Sequence, residues 1–290
     1  MKTHREDIDL ISVLQSASFE DISILIDIIT DSGKGRISLQ DSSKDLLLKA
    51  KASGAIDEAC KLCIAGEIQQ FGGNSLVSIF RGGKGVLYKG IVCDVADHVG
   101  GNYKDKNDIG QIEGAILVKI VERSLVKMSE EEKTQFFDQF GVRYMVSGAA
   151  ASGAAGAVAM ASLIIAIRSS GFASYRMATI VAQATAKALL GKGLTFAATG
   201  GLMRGVSVLA GPVGWAITGI WTAFDLASPA YRITVPCVIQ LAYMRQKALI
   251  EECPKCGTVV HKGLKFCSEC GQKLTASPHL IENNPTKKDA

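Results

Sequence analysis

From Gln139 to Phe224 the chain runs for 86 residues with no Asp or Glu, while carrying six Lys or Arg, 20 Ala and 13 Gly. Ordinary soluble surfaces mix both signs of charge. A window of this kind therefore has two destinations: a closely packed apolar layer, or contact with something that repels carboxylates, such as an anionic lipid surface. The rest of the chain is divided by the same feature. Residues 1–138 carry 17 basic and 22 acidic side chains, net −5, and residues 139–290 carry 15 and 6, net +9, within an overall +4. Such asymmetry points the second half toward a membrane or nucleic acid.

The window resolves into parts. Met145–Ile167 is 23 residues without charge, long enough to cross a hydrocarbon core as a helix. Ser147–Ala157 holds no large side chain, so its insertion drive is small. Gly148, Ser152 and Gly156, like Ala149, Gly153 and Ala157, recur every four residues, the small-residue spacing of closely packed helices and of a glycine zipper. Gly205–Phe224 is more hydrophobic, carries Trp215 and Trp221, and is interrupted at Gly211-Pro212. Between them, Arg176, Gln183 and Lys187, with Arg168 near, mark one helical face, and Met177, Ile180, Val181 and Ala184 the other, a pattern that suits a membrane interface. Ile233–Met244, at 12 residues, is too short to span. A permanent hairpin with cytosolic ends would place the basic linker outside, against the positive-inside rule. Peripheral or conditional contact with the inner membrane is the expectation, with a soluble core as the alternative.

Residues 1–140 read as an α-helical domain. Ile8, Ile11 and Leu14, then Ile22, Leu25, Ile28 and Ile29, recur at helical spacing, with Ser18 placed to cap the second helix. Residues 43–71 predict one or two more helices, Ile109–Leu125 another, and Ser129-Glu130-Glu131-Glu132 is a capping box. The charged start, Met1–Leu10, has no secretory or transit pattern, so a cytoplasmic protein is expected.

The stretch from Phe71 to Gly85 is rich in glycine, yet Gly85 follows Lys84 where a phosphate-binding loop needs Ser or Thr. Close helix approach or a turn is the simpler use. Asp94, Asp97 and His98 share a helix face that either ligates a metal or ends in solvent before Gly100-Gly101. Cys60 and Cys63 sit in an apolar helical pattern, where buried thiols are the default.

The run Ile68–Val99 (IQQFGGNSLVSIFRGGKGVLYKGIVCDVADHV), with REDIDLISVLQSASFEDI near the start and Pro229–Tyr243 later, resembles the YaaW-like family of bacterial proteins, over roughly residues 5–248. Distant similarity of that family to the ubiquinol–cytochrome c chaperone domain has been proposed, which implies a chaperone-like assembly role. The resemblance brings no catalytic residue.

The C-terminal pattern is stronger. Cys253-Pro254-Lys255-Cys256-Gly257 and Cys267-Ser268-Glu269-Cys270-Gly271 are two zinc knuckles ten residues apart. Four thiolates, Cys253, Cys256, Cys267 and Cys270, complete a closed tetrahedral site, so the zinc is structural. His261 is not needed as a ligand. The segment resembles the short zinc-ribbon family over residues 251–274. Lys255, Lys262, Lys265 and Lys273 could touch nucleic acid, but Glu251, Glu252 and Glu269 offset them and Phe266 is the single aromatic. A protein partner or self-association is the better use of the ribbon.

The fold expected is mainly α: residues 1–140 a helical domain, 141–250 a Gly/Ala-rich apolar helical region, 251–274 a small β ribbon, 275–290 a disordered tail. No nucleophile–base pair, paired carboxylates or open metal site appears, so the expectation is a non-enzymatic protein without a small-molecule substrate. Its partners are anionic membrane lipid and, through the ribbon, protein. The runner-up readings are a soluble chaperone-like protein and a zinc-ribbon nucleic-acid binder.

Overall fold

The computed structural model describes residues 6–34, 39–73, 85–144, 152–169, 171–191 and 230–274. They form two compact units, one ending at Ala248 and the second beginning at Leu249.

The described part of the first unit is helical: α1 (Ile8–Ser16), α2 (Phe19–Thr30), α3 (Asp41–Ser53), α4 (Glu58–Gly73), α5 (Tyr88–Val99), α6 (Ile109–Leu125), α7 (Glu130–Asp138), α8 (Ser152–Ser169), α9 (Gly171–Leu190) and α10 (Tyr231–Ala248). Local chemistry sets many of the ends. Ser18 with Asp21, Asp108 with Gln111, and Ser129 with Glu132 form capping boxes at α2, α6 and α7, each satisfying amides that a helix start leaves open. At the other end, Gly100 closes α5 in the left-handed region (φ 76°). Asp7 caps two helices at once, accepting from Leu10 N–H (3.2 Å) in α1 and from Tyr88 N–H (2.6 Å) at the start of α5. A single buried carboxylate thus ties elements 81 residues apart.

The core is organised around α10. Every residue from Ile233 to Met244 is buried, Pro236 included. A helix apolar on all sides has to be surrounded, and α10 packs against α9, α2, α5, α6, α1 and α4. The apolar run too short to span a membrane is therefore the central helix of the unit. Because α10 and α9 pack against α2 and α6, no boundary near residue 140 divides these helices.

Helix α9 also differs from its sequence reading. Met177, Ile180, Val181 and Ala184 are buried as the apolar face, but residues 177–186 are buried without interruption and Gln183 is among them. The polar face is narrow: Lys187 is exposed, while Arg176 lies over the Phe172 ring at 4.5 Å and donates to the Gln139 carbonyl. Close packing against α10, α6, α8 and α2 takes up the apolar side of this helix. Helix α8 is different: Ala159, Met160 and Leu163 are buried, whereas Val158 (67%) and Ile165 (65%) are exposed. Met145–Ala151 and Gly205–Phe224 lie outside the described residues, as do Arg204, Trp215, Trp221 and the tail 275–290. Among the described residues, no helix is long and apolar enough to cross a membrane.

Candidate metal centre

The second unit is a small β module built on two turns. Strand β1 (Ile250–Glu252) pairs antiparallel with β2 (Val259–His261), Glu251 opposite Val260. A second pairing sets Phe266 opposite Lys273, and Leu274 N–H donates to Lys265 O (2.9 Å). Each knuckle turns in the same way. Gly257 N–H donates to Cys253 O (2.9 Å) and Gly271 N–H to Cys267 O (3.1 Å), both glycines at φ 69°. A side chain is strained in that region, which is why glycine follows each second cysteine. The turns are closed by Cys253 N–H on Thr258 O (2.9 Å) and Cys267 N–H on Gln272 O (2.8 Å).

These two turns bring the four thiols together. Cys253 and Cys270 Sγ are 3.6 Å apart, as are Cys256 and Cys267 Sγ, and all four lie within 4.8 Å of one another. The sulfurs of a tetrahedral tetrathiolate zinc site, with Zn–S near 2.3 Å, are separated by about 3.8 Å. The spacing is compatible with a metal ion, and well beyond the ~2.0 Å of a disulfide. The small apolar core consists of Cys253, Val260, Cys267 and Leu274, with Cys270 against it. Half of that core is cysteine, so few other side chains hold the module. Cys256 is exposed, its Sγ 3.3 Å from the Thr258 hydroxyl, and the side-chain and backbone hydrogen bonds that Thr258 gives the thiolate draw its pKa down to about 6. Thr258 was not singled out in the sequence, although its place directly after the knuckle glycine marks it. His261 lies outside the thiol group, with Nδ1 2.7 Å from Lys262 O. Leu264 (43%) and Phe266 (58%) face solvent.

The other sequence candidates fall elsewhere. Among the described residues, the four cysteines are the single group of three or more His, Cys, Asp or Glu side chains placed to hold a metal. Asp94, Asp97 and His98 are on α5 but do not converge. The His98 ring stacks on Tyr231 (3.7 Å, 8°), and burial, then the charge of Arg123, pull its pKa down. Asp97 accepts from the Tyr103 hydroxyl (3.0 Å). Cys60 is buried on α4 and desolvation pushes its thiol up to about 11; burial likewise raises Cys63. Both are thiols, as their apolar setting indicates. The glycine-rich stretch is described only at its flanks. A Cβ on Gly72 would lie 2.5 Å from Ile91 Cγ1, so α4 and α5 touch at a glycine, and Val86 N–H bonds Gln69 O (3.1 Å) just beyond the stretch. Asn74–Lys84 lie outside the described residues.

A buried ionic cluster escaped the sequence. Glu113, 2% exposed on α6, accepts from the Tyr88 hydroxyl (2.7 Å) and from Arg245 Nε (2.9 Å). Burial raises the Glu113 carboxyl, while the Arg245 charge and the Tyr88 hydrogen bond hold it back. Charged residues far apart in sequence carry no local sign of such pairing.

No protein-family model matches the chain, and no solved structure matches it. Several curated proteins are similar. A UPF0174 protein of Helicobacter pylori strain J99 is 44% identical over 186 residues, 63% of this chain and 70% of that protein. A second from the same strain is 39% identical over 189 residues, covering 65% and 88% of the two chains. The UPF0174 protein YaaW of Escherichia coli K12 is 30% identical over 183 residues, 63% and 70%. The chain accordingly belongs to the YaaW-like UPF0174 family.

Proposed function

We propose that the protein is a non-enzymatic, membrane-associating helical protein that meets an anionic lipid surface through α8 and carries a structural zinc ribbon for protein contact. The observation behind the lipid reading is the exposed apolar face of α8, Val158 and Ile165, inside a window that holds basic but no acidic residues. An exposed apolar surface in a stretch of chain that carries basic and no acidic residues suits the interface of an anionic membrane. The burial of α9 and α10 in protein narrows the described contact to α8. The protein acts from the cytoplasm, as a peripheral or conditional partner of the inner membrane. Zinc is the ion that best suits four thiolates in a closed tetrahedron, and a closed site leaves no position for a substrate.

The test is sedimentation of the full chain with vesicles of phosphatidylcholine alone and with phosphatidylglycerol added. Pelleting is expected only with the anionic vesicles, weakening as salt is raised. Burial of a Val and an Ile is worth about 1.5–3 kcal/mol each when complete, so Val158→Asp/Ile165→Asp should lower the affinity at least about tenfold. Equal pelleting of the variant, or no pelleting at low salt, overturns the reading.

A second reading, a chaperone-like assembly protein that works through the ribbon, is favoured by the exposure of Leu264 and Phe266. It expects recovery of one defined protein partner, or self-association, that is lost in Phe266→Ala and unaffected by the α8 substitutions.

A further inference from the structure

Helix α4 buries a carboxylate that is only half satisfied. Glu67 is 3% exposed, and its Oε1 accepts from Ser43 Oγ on α3 at 2.7 Å. Its Oε2 is sealed from solvent with no hydrogen-bond partner. Buried polar atoms nearly always find one, and an orphan oxygen is costly. One turn earlier on the same helix is Cys63, since residues four apart share a face. The Cys63 thiol is half-buried. Burial raises its pKa first; the Ser43 hydroxyl opposes this, and the Glu67 charge adds to it. Ser43 and Glu67 thus meet at the α3–α4 contact, with Cys63 one helical turn before Glu67 on the same face; Ser43 and Cys63 are half-buried.

We propose that Ser43, Cys63 and Glu67 form a second cation site, for one divalent ion of the zinc class. The sulfur and the orphan Oε2 are the principal ligands; the Ser43 oxygen and water complete the shell. Two ligands four residues apart on a helix can reach one ion, as in helical zinc motifs. A mixed sulfur and oxygen donor set suits zinc and disfavours magnesium and calcium, which take oxygen throughout. On binding, the Cys63 S–H proton leaves to solvent, the sulfur and Glu67 Oε2 each donate a lone pair, and nothing is oxidised or reduced. This site is separate from the ribbon, whose four ligands lie in the other unit.

The experiment is metal content of the full chain after zinc loading and gel filtration, with far-ultraviolet circular dichroism as the folding control. The unaltered protein is expected to hold one equivalent more than Glu67→Gln and one more than Cys63→Ser, whatever the ribbon holds. In Cys253→Ser/Cys256→Ser that same equivalent should remain, so loss of ribbon metal and loss of this site are told apart. With cobalt in place of zinc, the ribbon-disrupted chain should show the charge-transfer band of a single thiolate, lost in Cys63→Ser. If Glu67→Gln and Cys63→Ser are folded and retain the metal content of the unaltered chain, the site does not exist. A folded Glu67→Gln that is more stable with unchanged metal would likewise overturn it, identifying the orphan oxygen as plain strain.

Discussion

Glu113 shows how much of this protein rests on single buried charges. Its carboxylate holds the Tyr88 hydroxyl on α5 and the Arg245 guanidinium in the last turn of α10, and so joins three helices. Asp21 and Lys247 (2.8 Å) repeat the device between α2 and α10, with Lys247 37% exposed and its partner buried. Stripping one partner from a buried pair is costly because the remaining charge stays desolvated. Arg245 keeps one-fifth of its side chain in solvent. Glu113→Gln should therefore cost about 3 kcal/mol, the low end of that range, read as a lower urea midpoint with unchanged slope. An unaltered midpoint would mean that Arg245 finds water without loss. These charges were not legible as partners in the sequence: Glu113 and Arg245 are 132 residues apart, and nothing in either neighbourhood requires the other.

At the scale of the element, helix ends were readable and helix roles were not. Ser18, Ser129 and the start of α6 at Ile109 behave as their spacing indicates, because a cap is a contract between residues three apart. The role of α10 depends on what surrounds it. Its apolar run from Ile233 to Met244 reads as a segment that fails to span a bilayer, and it proves to be the helix that six others pack on. Periodicity gives a face to a half-buried helix, but a fully buried one has no face to read. Leu241 is 0% exposed at its centre. Leu241→Ala should cost about 2–5 kcal/mol by cavity formation, and the loss should appear in one transition for the described helices of the first unit. Separate transitions for the early and late helices would contradict their common core. The α9 helix carries the same lesson: the polar residue Gln183 marks a wet face in the sequence, yet it is buried in the structure.

For the whole molecule, the two units differ in what holds them. The first has a core of large side chains such as Tyr88, Tyr243, Phe71, Phe136 and Phe137. The second has four core residues, of which two are proposed metal ligands. Metal binding to such modules contributes about 10–16 kcal/mol of apparent free energy, so chelation should unfold residues 249–274 and leave the helical circular dichroism signal nearly intact. Trypsin should cut at Lys255, Lys262 and Lys265 only after chelation, as read by mass spectrometry; equal cleavage before and after would deny the metal its structural part. What the sequence by itself determined is local: the capped helix starts, the two knuckles with their glycines, the thiols at Cys60 and Cys63, and a YaaW-like body extended by a ribbon. All but the family likeness, which is carried by residues 68–99 and segments at either end of the body, depend on residues within a few positions of one another. Only the tertiary structure decided that α9 and α10 are interior, that α8 keeps Val158 and Ile165 in solvent, and that Tyr88, Glu113 and Arg245 meet. An apolar side chain has the same reason to leave water for a protein neighbour as for a lipid, and the choice is made by which surfaces the folded chain brings within reach.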